Sequence, residues 1–301
     1  SETDFKSDTV VGNNGETIGE ICNKFFAARE GVSTEDRQRI MRFLENMCLG
    51  AAGSDVSGML TFAERKGDEY IINGSKCFIT NGPLSDYFAV YALTDHELGP
   101  KSMATFVVEK NTPGFTIGAR HNTMGIRSAM VSELHFTDVH VPVANMISPP
   151  GEGFHTALKT LDGGRIGIAS QALGIAEGAF EIARKYLMER KQFKKPLYKN
   201  QHLSFRMVDL ATQIEMAKYM VYKAACDKDA GKPFSLSAAK AKMVAAETAM
   251  KVTTDAVQML GGNGFMKEYH VERLMRDAKI TQIYEGTTEI QKIVLSKQLF
   301  V

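Results

Sequence analysis

The spacing of apolar positions changes twice along the chain and divides it into three stretches. From Thr17 to Met47 apolar residues recur at helical spacing, and Ser33-Thr-Glu-Asp36 resembles an N-cap followed by acidic residues. From Gly58 to Val143 the pattern becomes short alternating runs, which favours strands. From Gly153 onward the helical spacing returns. The pattern therefore predicts helices, then strands, then helices.

The middle stretch predicts a small β domain. Alternating apolar and polar runs predict strands at residues 69–74, 87–93, 104–109, 114–117 and 132–136. Asn73-Gly74 and Asn81-Gly82 are strong turn signals between them. Six or seven short strands at this spacing indicate a small antiparallel barrel or sandwich.

The last stretch predicts long helices connected by short loops. The expected helices are residues 154–189, 201–230, 235–260, 270–279 and 287–299. Pro196, Pro233, Gly231 and Gly261 supply breaks between them. Such helices form an antiparallel bundle. The predicted fold is α+β, with three domains: truncated N-terminal helices at residues 1–47, a small antiparallel β-barrel at 48–150 and a C-terminal four-helix bundle at 151–301.

Composition excludes several classes of function. With 36 Lys plus Arg against 35 Asp plus Glu, no overall field favours nucleic acid or an acidic membrane. No apolar run reaches the roughly 20 residues that span a bilayer. The four cysteines lack CxxC spacing and the seven histidines lack ligand spacing, so no disulfide framework and no metal site is expected. We expect a soluble protein of the bacterial cytoplasm or, in a eukaryote, of the mitochondrial matrix.

A segment near the C-terminus carries the clearest chemistry. Residues 277–291 read as a helix end, a glycine turn at Gly286 and a new helix capped by Thr287 or Thr288. Glu285 precedes that turn, and taken alone such an acid is more often a surface residue. Its neighbours change this interpretation.

Several motifs resemble the acyl-CoA dehydrogenase family, in one order and at matching spacing. The C-terminal signature is Ile283-Tyr-Glu-Gly-Thr-Thr-Glu-Ile-Gln291. The others are Ile72-Asn-Gly-Ser-Lys-Cys-Phe-Ile-Thr-Asn-Gly82, Met124-Gly-Ile-Arg127, His140-Val-Pro142, residues 161–176, Glu189-Arg-Lys-Gln-Phe193, Gln258-Met-Leu-Gly-Gly-Asn-Gly-Phe265 and residues 268–279. The resemblance covers about residue 46 to the end, and the set is highly specific.

The resemblance implies FAD-dependent oxidation of an acyl-CoA thioester to the trans-2-enoyl-CoA. A base removes the proton beside the carbonyl while hydride passes from the next carbon to flavin N5. Glu285 matches the family's usual base, and desolvation would raise its basicity. Some relatives place the base just before the arginine that corresponds to Arg165, but Gly164 stands there. A short, unbranched acyl chain is expected from the resemblance of the Gly163–Ala169 neighbourhood to butyryl-type enzymes.

The resemblance also assigns binding residues. Those expected to bind the substrate are Ser54, Asp162, Arg165, Tyr284 and Gly286. From spacing alone, Asp162 and Arg165 would be a surface ion pair at i, i+3. Those expected to bind FAD are Ser54, Phe78, Thr80, Arg190, Gln192, Phe193, Gln258, Gly261, Gly262, Thr287 and Glu289, with Arg190, Gln192 and Phe193 reaching the flavin across a dimer interface.

Partners follow from the same resemblance, and the front of the chain departs from it. An electron-transferring flavoprotein would accept the electrons, and the active form would be a homotetramer, a dimer of dimers. Only some 45 residues stand where relatives have a helical domain, and their Leu-Thr-Glu-Pro flavin segment is replaced by Asn46-Met-Cys-Leu-Gly-Ala-Ala-Gly-Ser-Asp55. This departure leaves open a non-catalytic or flavin-deficient binding or assembly protein. An oxidase of the same fold, which passes electrons to O₂, also stays open.

Overall fold

The computed structural model describes residues 58–300, so the predicted helices of residues 1–47, and Ser54, lie outside the described residues. Two compact units divide this part of the chain: residues 58–122 with 128–160, and residues 123–127 with 161–300. The first contains the sheet and the second contains the helices. The α+β fold class is confirmed, while the predicted domain boundaries at residues 47/48 and 150/151 stay a prediction.

The first unit is a seven-stranded sheet. Its strands are β1 Phe62–Lys66, β2 Glu69–Thr80, β3 Tyr87–Leu93, β4 Met103–Glu109, β5 Phe115–Ile117, β6 Val131–Pro142 and β7 Met146–Ser148. Their order is β5-β6-β2-β1-β3-β4-β7, and every pair is antiparallel except β1 with β3, which is parallel. Among the described residues no pairing joins β5 to β7, so closure into a barrel stays a prediction.

The alternation that predicted the strands corresponds to burial on one face of the sheet. In β6, Ser132, Leu134 and Phe136 are buried while the residues between them keep partial exposure. β3 is buried along almost its whole length, which explains its continuous apolar run. Aromatic rings fill this core, with Phe115 packed against Phe88 and Phe136 at centroid distances of 4.8 and 5.0 Å.

One predicted turn is wrong. Asn81 has φ 57° and leads into a short 3-10 turn, as its sequence indicates. Asn73-Gly74 instead lies inside β2, at a register shift between Ile72 and Gly74. Gly74 adopts φ 137°, and a Cβ there would lie 2.8 Å from the Cα of Thr61. This glycine therefore serves a β-bulge and a close backbone approach.

The second unit is helical, and the predicted helices are confirmed to within about one residue at each end. They are α1 Gly153–Glu189, which starts in the first unit, then α2 Gln201–Asp229, α3 Ser235–Leu260, α4 Val271–Ile280 and α5 Thr288–Leu299. A hairpin of β8 Lys191–Gln192 and β9 Lys195–Pro196 connects α1 to α2.

Alanine dominates the contact between the helices. The buried alanines of α1 in this contact are Ala169, Ala172, Ala176, Ala179 and Ala183, and those of α3 include Ala241, Ala245, Ala249 and Ala256. Spacings of three and four residues place them on one face of each helix, where small side chains permit close packing. Over the described range, no helix combines the length and apolarity needed to cross a membrane.

Candidate active site

Glu285 lies in the turn between α4 and α5 and has a conformation that is unusual for its residue type. Its φ is 52°, and that of Gly286 is 85°. Glycine adopts such values readily, whereas glutamate does not. The helix that follows starts as predicted, because Thr287 Oγ1 accepts a hydrogen bond from the N–H of Ile290 at 3.3 Å.

The carboxylate of Glu285 packs against the backbone of α1. A Cβ added at Gly164 would lie 2.5 Å from Glu285 Oε2 and 3.0 Å from its Cδ. Burial raises the pKa of Glu285 to about 7, although Arg165 and Lys242 act in the opposite direction. The carboxylate can therefore take up or release a proton near neutral pH.

Arg165 forms the predicted pair with Asp162, but not at the surface. Arg165 Nη1 donates to Asp162 Oδ1 at 2.5 Å, and Ser235 Oγ donates to the same oxygen at 3.0 Å. Arg165 is only 6% exposed, so the interpretation as a surface ion pair is wrong. Desolvation raises the pKa of Asp162, against the lowering effect of Arg165. Arg165 Nε is buried without a hydrogen-bond partner among the described residues, which leaves a donor for a ligand.

Tyr284, next to the candidate base, has its side chain fixed by α1. Its hydroxyl donates a hydrogen bond to Gln171 Oε1. Burial raises the pKa of Tyr284 to about 12, so its phenol stays protonated at neutral pH. Tyr284 therefore places an uncharged side chain next to Glu285.

Two buried side chains that the sequence analysis did not select bind the carbonyls of this turn. Lys242 Nζ donates to Gly286 O at 2.6 Å. Gln291 Nε2 donates to the same oxygen at 2.9 Å and to Glu285 O at 3.2 Å. Both residues are fully buried. They come from α3 and α5, so three helices and the α4–α5 turn form the site around Glu285.

The three residues expected at a dimer interface are exposed at the end of α1 and in the hairpin. Arg190 and Gln192 are exposed, and Phe193 is 88% exposed. Phe193 and Lys194 form the hairpin turn with φ of 52° and 62°. An exposed guanidinium, an amide and an uncovered ring are the groups that bind phosphate and stack on a flat heterocycle.

A second group of expected cofactor residues surrounds the end of α3 and the start of α5. Gln258 is exposed, and a Cβ added at Gly261 or Gly262 would meet no atom within 4 Å. Glu289 is also exposed, and its pKa is lowered because its own backbone N–H and Thr287 donate hydrogen bonds to its carboxylate. Open backbone beside an amide suits a nucleotide, so both groups of residues fit FAD chemically.

The expected flavin contacts of the sheet unit lie near the end of β2. Phe78 is 77% exposed with φ 58°, and its ring lies 5.7 Å from that of His121. Thr80 is exposed two residues later on the same strand. Both side chains are therefore accessible to a ligand of this unit.

Within the described range, no group of three or more His, Cys, Asp or Glu could hold a metal ion.

Comparison with known families covers most of the chain. Residues 50–139 match the middle domain of acyl-CoA dehydrogenases, and residues 151–300 match their C-terminal domain. A short-chain-specific acyl-CoA dehydrogenase of Clostridium acetobutylicum is 55% identical over 249 residues. That alignment includes 83% of this chain and 66% of the relative, so the chain spans about two thirds of the relative's length.

Solved structures give the same result. The butyryl-CoA dehydrogenase of Megasphaera elsdenii superposes with a TM-score of 0.86 at 46% identity, over 93% of this chain and 75% of that one. A structure described as an electron transferring flavoprotein of Acidaminococcus fermentans superposes with a TM-score of 0.84, also at 46% identity, over 92% of this chain and 74% of that one.

Proposed function

The chain belongs to the acyl-CoA dehydrogenase family, whose members are flavin-dependent oxidoreductases that use FAD, and we propose that it dehydrogenates a short-chain acyl-CoA to the trans-2-enoyl-CoA. The observation that carries this proposal is the carboxylate of Glu285, which packs on Gly164 and has a pKa of about 7. The names of the relatives, short-chain-specific and butyryl-CoA dehydrogenase, support the substrate class.

Glu285 is the proposed base, and its environment suits that role. A general base works best when its pKa lies near the working pH, because it is then both ionised and basic. Burial supplies the added basicity, while Arg165 and Lys242 keep the ionised form accessible. Glu285 would take the proton from the carbon beside the thioester carbonyl, and bound FAD would supply the hydride acceptor at N5. The backbone N–H of Glu285 would donate to the thioester oxygen and stabilise the enolate as it forms.

Substrate binding is assigned to the residues around this base. Arg165 has an unused buried donor and is oriented by Asp162, which supports contact with the CoA part of the substrate. Tyr284 and Gly286 flank Glu285 in the chain and would limit the space for the acyl chain. Ser54, the fifth residue assigned to the substrate, lies outside the described residues.

FAD binding is assigned to the residues that the family resemblance named. The guanidinium of Arg190 would pair with the pyrophosphate, and the backbone near Gly261 and Gly262 would lie along the nucleotide. The full set is Ser54, Phe78, Thr80, Arg190, Gln192, Phe193, Gln258, Gly261, Gly262, Thr287 and Glu289. Exposure of Phe193 supports a flavin contact made across a dimer interface, and we propose a homotetramer built as a dimer of dimers.

We propose an electron-transferring flavoprotein as electron acceptor. The support is the structural similarity to a chain in the structure of the electron transferring flavoprotein of Acidaminococcus fermentans.

The experiment is anaerobic addition of butyryl-CoA to the purified, flavin-loaded protein. We expect the flavin absorbance of the wild type to bleach. Glu285→Gln should keep its flavin but lose bleaching about 1000-fold in rate, because amide nitrogen cannot serve as the base. Glu247→Gln is the matched control, since Glu247 is an exposed carboxylate of α3, and it should bleach at the wild-type rate.

Three outcomes would contradict the proposal or a part of it. Wild-type bleaching by Glu285→Gln would remove Glu285 as the base. A wild-type protein that takes up no FAD would favour the alternative of a binding or assembly protein. Rapid reoxidation of the bleached flavin by O₂ would redirect the proposal from a dehydrogenase to an oxidase.

A further inference from the structure

Lys242 is an unusual residue for the interior of a helix bundle. It is fully buried on α3, in a row of buried alanines that includes Ala238, Ala245 and Ala249. Burying an ammonium is unfavourable unless its partners compensate for the lost water. A methionine of similar length would fill the same space without that cost. The charge of Lys242 therefore calls for an explanation.

The hydrogen bond from Lys242 to the backbone does not by itself explain why a charged residue lies at this position. Lys242 Nζ donates to Gly286 O at 2.6 Å, but Gln291 Nε2 already donates to that oxygen at 2.9 Å. One neutral donor is enough to satisfy a buried carbonyl. The second donor differs from the first because it brings a positive charge to the turn that carries Glu285.

Charged groups on α1, in the α4–α5 turn and on α5 act on Lys242. Glu285 in the α4–α5 turn and Glu289 on α5 attract its ammonium, and Arg165 on α1 repels it. Desolvation is the largest influence and lowers the pKa of Lys242 to about 8. The ammonium is thus mostly charged at neutral pH and loses its proton at a slightly higher pH.

From this geometry we infer that Lys242 is a positioning residue for Glu285: its buried ammonium holds the carbonyl of Gly286 and provides part of the positive charge that keeps the Glu285 carboxylate ionised. This inference rests on the proposed function in so far as Glu285 is the base. Lys242 itself does not touch the reacting atoms in this scheme. It acts by fixing the turn whose left-handed φ directs the Glu285 side chain toward Gly164, and by its charge.

The experiment titrates the carboxyl group itself. Lys242→Met removes the charge and nearly keeps the length, while Lys240→Met removes an exposed lysine of the same helix as a matched control. Infrared titration of the flavin-loaded protein follows the carboxyl and carboxylate bands, and the difference from Glu285→Gln identifies those of Glu285. We expect Lys242→Met to raise the midpoint of Glu285 by about one pH unit, since a nearby opposite charge favours ionisation to about this extent. Lys240→Met should leave the midpoint unchanged.

The pH profile of kcat/KM gives a second measurement. Its acidic limb should move upward by the same amount in Lys242→Met, because that limb reports the base of the free enzyme. A merely structural role would lower activity at every pH without moving the limb. If wild-type protein shows no dehydrogenation, the infrared midpoint still decides whether Lys242 acts on Glu285, so the two proposals fail separately.

A variant that keeps a donor protects the experiment against misfolding. Lys242→Gln is shorter, neutral and able to donate to Gly286 O, and it should show the same upward displacement as Lys242→Met. Coupling between two titrating groups is reciprocal, so Glu285→Gln must lower the pKa of Lys242 if Lys242 acts on Glu285. A Glu285 midpoint unchanged in either folded Lys242 variant, or a Lys242 titration unchanged in Glu285→Gln, would overturn the inference.

Discussion

Three of the residues assigned to the candidate site have a backbone conformation that their residue types disfavour. Phe78, Phe193 and Glu285 have φ of 58°, 52° and 52°. A residue with a Cβ loses about 1–2 kcal/mol in this region, and such strain concentrates where a side chain must point in one direction. The sequence indicated the turn through Gly286, which favours such angles. It could not indicate them for Phe or Glu, whose presence ordinarily predicts φ below zero.

At Gly164 we predict a loss of activity without a loss of stability. In Gly164→Ala the added methyl would lie 2.5 Å from Glu285 Oε2, so the carboxylate must move. A displacement of about 1 Å at the base costs about 100-fold in kcat/KM. Alanine should also stabilise the helix by about 0.5–1 kcal/mol, as measured by chemical denaturation.

The matched control for this prediction is Gly174→Ala. Gly174 lies on the same helix with no atom within 4 Å of an added Cβ, so this variant should gain stability and keep wild-type kinetics. Equal kcat/KM for the two variants would show that the packing of Glu285 on Gly164 does not matter to the reaction.

The raised pKa of Glu285 predicts how stability changes with pH. The folded protein holds this proton up to about pH 7, whereas the unfolded chain releases it near the ordinary value for glutamate. Between those two values the native state binds more protons, so rising pH lowers the free energy of unfolding. Glu285→Gln lacks this proton, and we expect it to be more stable than the wild type by about 2 kcal/mol at pH 8 and equally stable at pH 4.

Urea denaturation at the two pH values measures this difference. Glu247→Gln, which changes an exposed carboxylate, should follow the wild type at both. A stability difference of the same size at pH 4 and pH 8 would mean that the amide acts through packing and that the titration of Glu285 is not its cause.

At the scale of the elements, the sequence predicted the helices well because their signals agree. The α1 pattern has small and apolar residues every three or four positions, and Gly231 and Gly261 stop α2 and α3 with φ of 65° and 60°. Asn73-Gly74 misled because the same dipeptide suits a hairpin turn and a bulge, and only the partner strand decides between them. Burial by distant chain segments cannot be read from a local pattern.

Gly74 provides a test at this scale. Gly74→Ala would place a methyl 2.8 Å from the Cα of Thr61 and keep an unfavourable φ, so the backbone just before β1 must shift. We expect the free energy of unfolding to fall by about 3 kcal/mol. Gly67→Ala is the control, since its φ of 62° is also positive but no atom lies within 4 Å, and it should cost about 1 kcal/mol. Equal losses for the two would assign the effect to the backbone angle alone.

Lys242 marks the limit of sequence reasoning about the candidate site. Its position, four residues after Ala238 and three before Ala245, is in phase with the buried face of α3. A lysine in that phase indicates a buried charge. The sequence does not indicate that Lys242 binds Gly286, because Gly286 lies 44 residues further along the chain and meets α3 only after the bundle has folded.

At the scale of the whole molecule, family motifs carried the functional hypothesis further than composition did. Nearly balanced charge excluded broad classes of partner, whereas ordered motifs predicted a base, a cofactor and an assembly. Those motifs were informative because cofactor and substrate constrain side chains from distant segments together. The geometry within one chain adds the partial burial of Glu285, the burial of Arg165, and the exposure of Phe193 and Gln258.

The exposure of Phe193 leads to a prediction about the assembly. If the ring of Phe193 contacts flavin bound mainly by a partner protomer, flavin binding and the association of the protomers stabilise each other. Dilution should then dissociate the protomers and release the flavin together. Phe193→Ala should then lose FAD at a higher protein concentration than the wild type, measured as the ratio of flavin to protein absorbance while light scattering gives the mass.

Leu98→Ala, which removes another exposed apolar side chain, should follow the wild type. Since Phe193 is 88% exposed in the single chain, its removal has little effect on the stability of the protomer, and flavin loss can be assigned to the interface. Full flavin retention by Phe193→Ala down to the concentration at which the assembly dissociates would place this residue outside the cofactor site.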